Sequence, residues 1–189
     1  MENIIIKKVL IIGSGVMGSR IACYLSDVGL SVFLLDIIGN NKNRNSIVNS
    51  NLNKTIKSRP EPLLDKSNVH NITTGNIIDD INKIKDSDWI IEAVSEKENI
   101  KKEVLDIIEK NKKKESIVST NTSGLSINNL VKGRSKEFKE NFLGIHFFNP
   151  PRQLRLLELI PNKKTKKGII DFFKDYCSKI LGKEVVLCK

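Results

Sequence analysis

Cysteine, histidine and aromatic residues are scarce in this chain, and long apolar runs are missing. Cys23, Cys177 and Cys188 are odd in number, far apart and without a C-x-x-C pair, which argues against a disulfide framework and a zinc site and reads as reduced filler. With only His70 and His146, and no carboxylate cluster around both, no metal centre is expected. No stretch approaches the roughly 20 apolar residues that cross a bilayer, so no membrane partner is expected. Aromatics amount to 5% and lie inside apolar patterns, not interleaved with basic residues as a base-stacking surface requires. Nothing repeats, and no Ser/Gly linker divides the sequence. The N-terminus offers Glu2 early and only Lys7 and Lys8 as basic residues before a strand begins. No signal or transit peptide is legible there, and a cytoplasmic location is expected.

What is present suits one soluble core. The 189 residues are 39% hydrophobic, enough for one domain and short for two. The formal charge is +10, with the densest runs at Lys110–Lys114 and Lys163–Lys167. These lysines fall at expected helix ends and turns, where they complement helix dipoles on a solvated face. No nucleic-acid partner is expected, whereas an anionic cofactor or a phosphate-bearing substrate would be favoured.

Strand and helix patterns alternate along the chain, which is the α/β signature. Strands are expected near 7–12, 31–36, 69–73, 88–94, 116–120, 141–147, 154–160 and 184–188. Helices are expected near 16–29, 43–58, 79–84, 97–113, 126–132 and 165–181. Unbroken apolar stretches at Val9–Ile12, Val32–Leu35 and Trp89–Ile91 suit strands covered on both faces, hence a doubly wound, mainly parallel sheet with antiparallel strands late in the chain. The polar Asn40–Ser58 stretch, stopped by Arg59-Pro-Glu-Pro62, reads as an excursion from the sheet that could overhang a ligand.

The first strand runs into Gly13-Ser-Gly15-Val16-Met17-Gly18, and Asp36 closes the second strand about 20 residues on. Gly13 permits the tight turn, Gly15 lets backbone approach a pyrophosphate, and Gly18 lets the helix pack on the strand. The helix N-terminus then faces the anion. Asp36 has no positive residue beside it in sequence, so its carboxylate suits ribose hydroxyls and disfavours a ribose phosphate, which makes NAD the expected cofactor.

Ligands of open parallel sheets lie beyond the carboxyl ends of the strands. That rule nominates Gly13 to Gly18, Asp36, Ala93 to Glu96, Asn121 to Ser123, and His146 to Asn149. His146 lies in Gly-Ile-His-Phe-Phe-Asn-Pro, and Glu158 sits in the next apolar run, Leu156-Leu-Glu-Leu-Ile160. An unpaired carboxylate is costly to bury, and His146 is the titrating partner near a strand end. Such a pair fixes one tautomer and stabilises the imidazolium formed when a hydroxyl proton is removed. An outward Glu158 on an edge strand and a helix-capping Asn121–Ser123 segment are the plainer alternatives.

These motifs, with Ser87-Asp-Trp-Ile-Ile-Glu-Ala-Val94, Ser119–Ser123, His146-Phe-Phe-Asn-Pro150, Leu157–Ile160 and Gly182-Lys-Glu-Val185, resemble the NAD-binding domain of the L-3-hydroxyacyl-CoA dehydrogenases. The continuation through Pro151-Arg-Gln-Leu-Arg is most similar to bacterial β-oxidation proteins that carry an enoyl-CoA hydratase downstream. The resemblance implies a Rossmann-type domain over 1–189, His146 as base oriented by Glu158, Ser123 on the substrate oxygen and Asn149 in support. It places Glu96, Lys101 and Asn121 around the nicotinamide, and implies an acyl-CoA thioester substrate. Family members continue beyond the position of Lys189 into a helical domain that forms most of a dimer contact, so a fragment of a longer, homodimeric protein is expected. A non-catalytic NAD module and a dehydrogenase of a free hydroxy acid remain alternatives. Arg20 stands where the family has glycine or another small residue, and it either points to solvent or reaches towards the phosphates.

Overall fold

Alternate side chains of β1 (Lys8–Ile12) leave for opposite faces of a single sheet and feed two separate cores. Val9 and Ile11 join Val32, Leu34, Trp89 and Ile91 on one face. Leu10 and Ile12 join Leu35, Ile90 and Val118 on the other. Each such side chain, when fully buried, stabilises the fold by about 1.5–3 kcal/mol before conformational entropy is subtracted. This computed structural model describes residues 4–188; Met1–Asn3 and Lys189, part of the domain expected over 1–189, lie outside the described residues.

The remaining strands are β2 (Ser31–Asp36), β3 (Ile72–Asn76), β4 (Trp89–Glu92), β5 (Ile117–Thr120), β6 (Phe142–Phe147), β7 (Leu156–Pro161) and β8 (Glu184–Leu187). The helices are α1 (Val16–Asp27), α2 (Ser46–Ile56), α3 (Glu98–Asn111), the short α4 (Ile127–Leu130) and α5 (Lys136–Glu140), and α6 (Lys167–Lys179). The strands lie in the order β3-β2-β1-β4-β5-β6-β7-β8. The order reverses between β1 and β4, which is where a doubly wound sheet opens a ligand crevice. All pairings are parallel except β6 with β7. Helix α3 buries Lys101, Val104, Leu105 and Ile108, the i, i+3, i+4, i+7 stripe of an amphipathic helix. Helix α6 buries Ile169, Phe173 and Cys177 at i, i+4 and i+8, again on one face.

Three elements differ from expectation. One is α5, which lies where no helix is expected and is started by Ser135, whose hydroxyl accepts from Phe138 N at 3.2 Å. The third strand starts at Ile72, not near 69, because Lys66–Asn71 winds into a 3-10 turn whose first amide donors are met by Asp65, which accepts from Ser67 N at 2.8 Å. The helix expected near 79–84 is a single 3-10 turn over Ile81–Ile84. Among the described residues, no helix is long and apolar enough to cross a membrane.

Arg20 takes neither of the two courses expected of it. It is 8% exposed and donates to Ser58 Oγ at 2.8 Å and to the Arg59 and Pro60 carbonyls at 3.3 Å. Its guanidinium thus pins the segment after α2 to α1. From the opposite side, Arg152 and Gln153 both donate to the Glu61 carbonyl at 3.0 Å.

Candidate functional site

The turn between β1 and α1 is shaped by what its glycines lack. Gly13 has φ 103°, and a Cβ there would lie 2.6 Å from the Ala93 carbonyl oxygen. A Cβ on Gly18 would meet the Gly13 oxygen at 1.8 Å, whereas one on Gly15 would meet nothing within 4 Å. Gly15 therefore faces open space beside the first turn of α1, whose N–H groups have no intrahelical acceptors. That is a cradle of the right chemistry for a pyrophosphate.

Asp36 is tied to this turn. Its Oδ2 accepts from Ser14 N at 2.6 Å and from the Ser14 hydroxyl, and its Oδ1 accepts from Ile37 N at 2.7 Å. A carboxylate offers about four acceptor positions, so a ligand hydroxyl has an aimed oxygen to meet.

A cleft of about 890 Å³ runs from Asp36 past the glycine turn to His146. All of the nominated residues line it except Ser14, Gly18, Lys101, Thr122 and Glu158: Gly13, Gly15, Val16, Met17, Asp36, Ala93 to Glu96, Asn121, Ser123 and His146 to Asn149. The glycine turn with its open space, the aimed carboxylate and the cleft between them fit a dinucleotide.

At the far end His146 and Glu158 face each other directly across the antiparallel β6–β7 ladder. His146 Nδ1 lies 2.9 Å from Glu158 Oε2. Towards an ionised carboxylate, which only accepts, Nδ1 is the donor, and in the neutral ring of that tautomer Nε2 is the bare nitrogen. The imidazole side chain is 14% exposed, and the Phe148 ring sits 4.4 Å away, centroid to centroid. Behind the turn that follows, Lys183 is buried with its ammonium over the Tyr24 ring at 4.3 Å. It donates to the Leu154 carbonyl at 2.8 Å and to that of Pro151, which fastens the Asn149 turn to the start of β8. Burial pushes the Lys183 ammonium down to about 8.

Lys101, expected around the nicotinamide, is fully buried beneath the cleft floor. Its ammonium contacts both Glu92 oxygens at 2.8 and 3.1 Å and Glu96 at 3.2 Å. Glu92 is also fully buried, and it accepts from Val94 N at 2.7 Å and from the Thr120 hydroxyl. Glu96 accepts from Thr122 Oγ1, from Ser123 N at 2.9 Å and from Gly124 N at 3.2 Å. Burial alone would raise the Glu96 carboxyl, but those donors and Lys101 outweigh it and hold it at about 2. Sequence reasoning does not assign Glu92 or Thr120. The signal for Glu92 was there: a carboxylate ending the apolar run Trp-Ile-Ile-Glu needs a partner for the same reason as Glu158.

The family model described as the 3-hydroxyacyl-CoA dehydrogenase NAD-binding domain matches residues 8–189. A probable 3-hydroxyacyl-CoA dehydrogenase of Bacillus subtilis is 43% identical over 97% of this chain, which spans 25% of that protein. One from Deinococcus radiodurans is 42% identical over 96% of this chain, which spans 53% of it. The chain thus spans only about a quarter to a half of these curated relatives. Among solved structures, (S)-3-hydroxybutyryl-CoA dehydrogenase from Ralstonia eutropha aligns with a TM-score of 0.76 at 29% identity, covering 97% of this chain and 63% of that one.

Proposed function

Since the chain belongs to the 3-hydroxyacyl-CoA dehydrogenase NAD-binding domain family, we propose that it is the catalytic half of an enzyme that oxidises the 3-hydroxyl of an acyl-CoA to a ketone, as in fatty-acid β-oxidation. The observation that carries the reading is the 2.9 Å His146–Glu158 contact at one end of the dinucleotide cleft.

NAD, when bound, supplies the hydride acceptor. His146 Nε2 takes the hydroxyl proton, and Glu158 holds the Nδ1–H and offsets the positive charge that develops on the ring. Ser123 hydrogen-bonds the substrate oxygen, and Asn149, on the turn fastened by Lys183, supports the site from the other side. Asn121 accepts from Phe147 N at 2.9 Å and so ties the end of β5 to the strand carrying His146. Phe148 shields one side of the imidazole and keeps water from competing for its nitrogen.

The test is NADH oxidation by acetoacetyl-CoA, the reverse reaction, in the protein that carries this domain. His146→Gln should lower kcat/KM by about 10²–10⁴-fold while NADH binding stays within about twofold. Turnover within a few-fold of the parent would place the base elsewhere. NADH binding without turnover in the parent would leave a cofactor-binding module instead.

A further inference from the structure

Past the strand end that Asp36 closes lies an ion pair that the proposed reaction does not use. Arg44 follows β2, and its segment folds back on itself: Gly39, three positions after Asp36, donates its N–H to the Arg44 carbonyl at 2.8 Å. The arginine is thereby held next to the strand end that Asp36 closes. Its guanidinium is committed to a single partner, with Nε and Nη2 donating to the two oxygens of Asp79 at 2.6 and 2.7 Å.

Asp79 is itself fixed. Asn76, the register partner of Asp36 at the end of β3, is 1% exposed. It donates from Nδ2 to Asp79 at 2.8 Å and accepts from Asp79 N at 2.9 Å. The same Nδ2 donates to Asn45, the neighbour of Arg44, at 2.8 Å. Hydrogen bonds from Arg44 and Asn76 hold the Asp79 carboxyl at about 2, so it is ionised throughout the neutral range. Both of its side chains are only about half covered, at 43% and 46% exposure.

An arginine near the end of the second strand is what accommodates a ribose 2′-phosphate in folds of this kind, by a two-pronged contact that planar guanidinium makes well. We propose that Asp79 is a specificity-determining residue: it holds Arg44 in a closed pair and so denies NADP the cation that it would otherwise find beside Asp36. Discrimination then has two parts, repulsion from Asp36 and a sequestered arginine, and a phosphate must break a fixed carboxylate contact to gain one of its own. The inference rests on the reading of Asp36 as the ribose acceptor.

Dissociation constants for NADH and NADPH, measured by nucleotide fluorescence without substrate, test it. Asp79→Ala should tighten NADPH by about tenfold and leave NADH within about twofold, and the gain should vanish in Asp79→Ala/Arg44→Ala. Asp79→Asn, which keeps an amide to meet Asn76, should show the same direction and guards against a folding defect. Unchanged NADPH affinity in both Asp79 variants overturns the proposal. So does a gain that survives in the double variant, since it would come from removing a negative charge and not from Arg44. Asp36→Ala separates the two readings. If it leaves the NADH to NADPH ratio unmoved, the ribose reading falls and this inference with it; if the ratio moves while the Asp79 variants do nothing, this inference alone falls.

Discussion

Alanine separates two glycines of the β1–α1 turn by what each excludes. Gly18→Ala forces a methyl to within 1.8 Å of the Gly13 carbonyl, so α1 must shift and the fold itself should weaken. Gly15→Ala meets no protein atom within 4 Å, so the urea midpoint should stay at the parent value while NADH affinity falls at least about tenfold, because the methyl occupies the pyrophosphate's space. Urea unfolding and NADH titration on the two variants check this. A Gly15→Ala protein that binds NADH normally would move the anion away from this turn. The turn was readable in the sequence because its constraint is local steric exclusion at fixed spacing. The place of Lys101 was not, because it depends on Glu92, nine positions away on another element, and on both being sealed from water. Arg44 and Asp79 are not legible for the same reason: they lie 35 positions apart, and the Asn76 turn is what brings them together.

The Glu92–Lys101 contact joins β4 to α3, and the Thr120 hydroxyl brings in β5. Three elements converge on one buried pair of charges beneath the cleft. Lys101→Met leaves the Glu92 carboxylate sealed in without its counter-charge and should cost about 3–5 kcal/mol of stability. Glu92→Gln/Lys101→Met removes both charges and should recover much of that loss, as read from denaturant midpoints at constant m-value. Equal losses in the single and double variants would mean that packing, not charge, dominates. At this scale most strands were legible, since runs such as Val9–Ile12 admit few alternatives. β3 and the Ile81–Ile84 turn were misplaced because short segments, rich in Asn, Asp and Lys, take their form from turn hydrogen bonds and not from apolar periodicity. The meeting of His146 with Glu158 is legible from the requirement that a carboxylate in an apolar strand find a partner, and the family resemblance implies the same pair.

For the whole molecule, the perturbed groups set the pH range of stability. Glu96 and Asp79 are each held at about 2, against ordinary values of 4.5 and 3.8, and Asp88 and Glu109 are also lowered. The unfolded chain takes up these protons first as pH falls, so their contribution is complete above about pH 4.5 and is lost progressively towards pH 2. Glu96→Gln should flatten part of that acid decline when urea midpoints are compared between pH 6 and pH 3, and an unchanged slope would remove Glu96 from the account. On the alkaline side, burial raises the Cys23 and Cys177 thiols from 9.0 to about 12, so the stability they contribute is present below pH 9 and falls as pH rises towards 12. Lys183 works in the opposite sense between about 8 and 10.5.

Glu158 is flanked on β7 by Leu157 and Leu159, both fully buried against Ile145 and Phe147 on the neighbouring strand. Because successive residues of a strand point to opposite faces, a one-residue slip would expose both leucines and bury the carboxylate among them. Any molecule folded well enough to hide those two leucines therefore already has its carboxylate against the imidazole. For this pair, meeting is not a separate step after folding: the fraction of molecules with His146 against Glu158 and the folded fraction should be one and the same number.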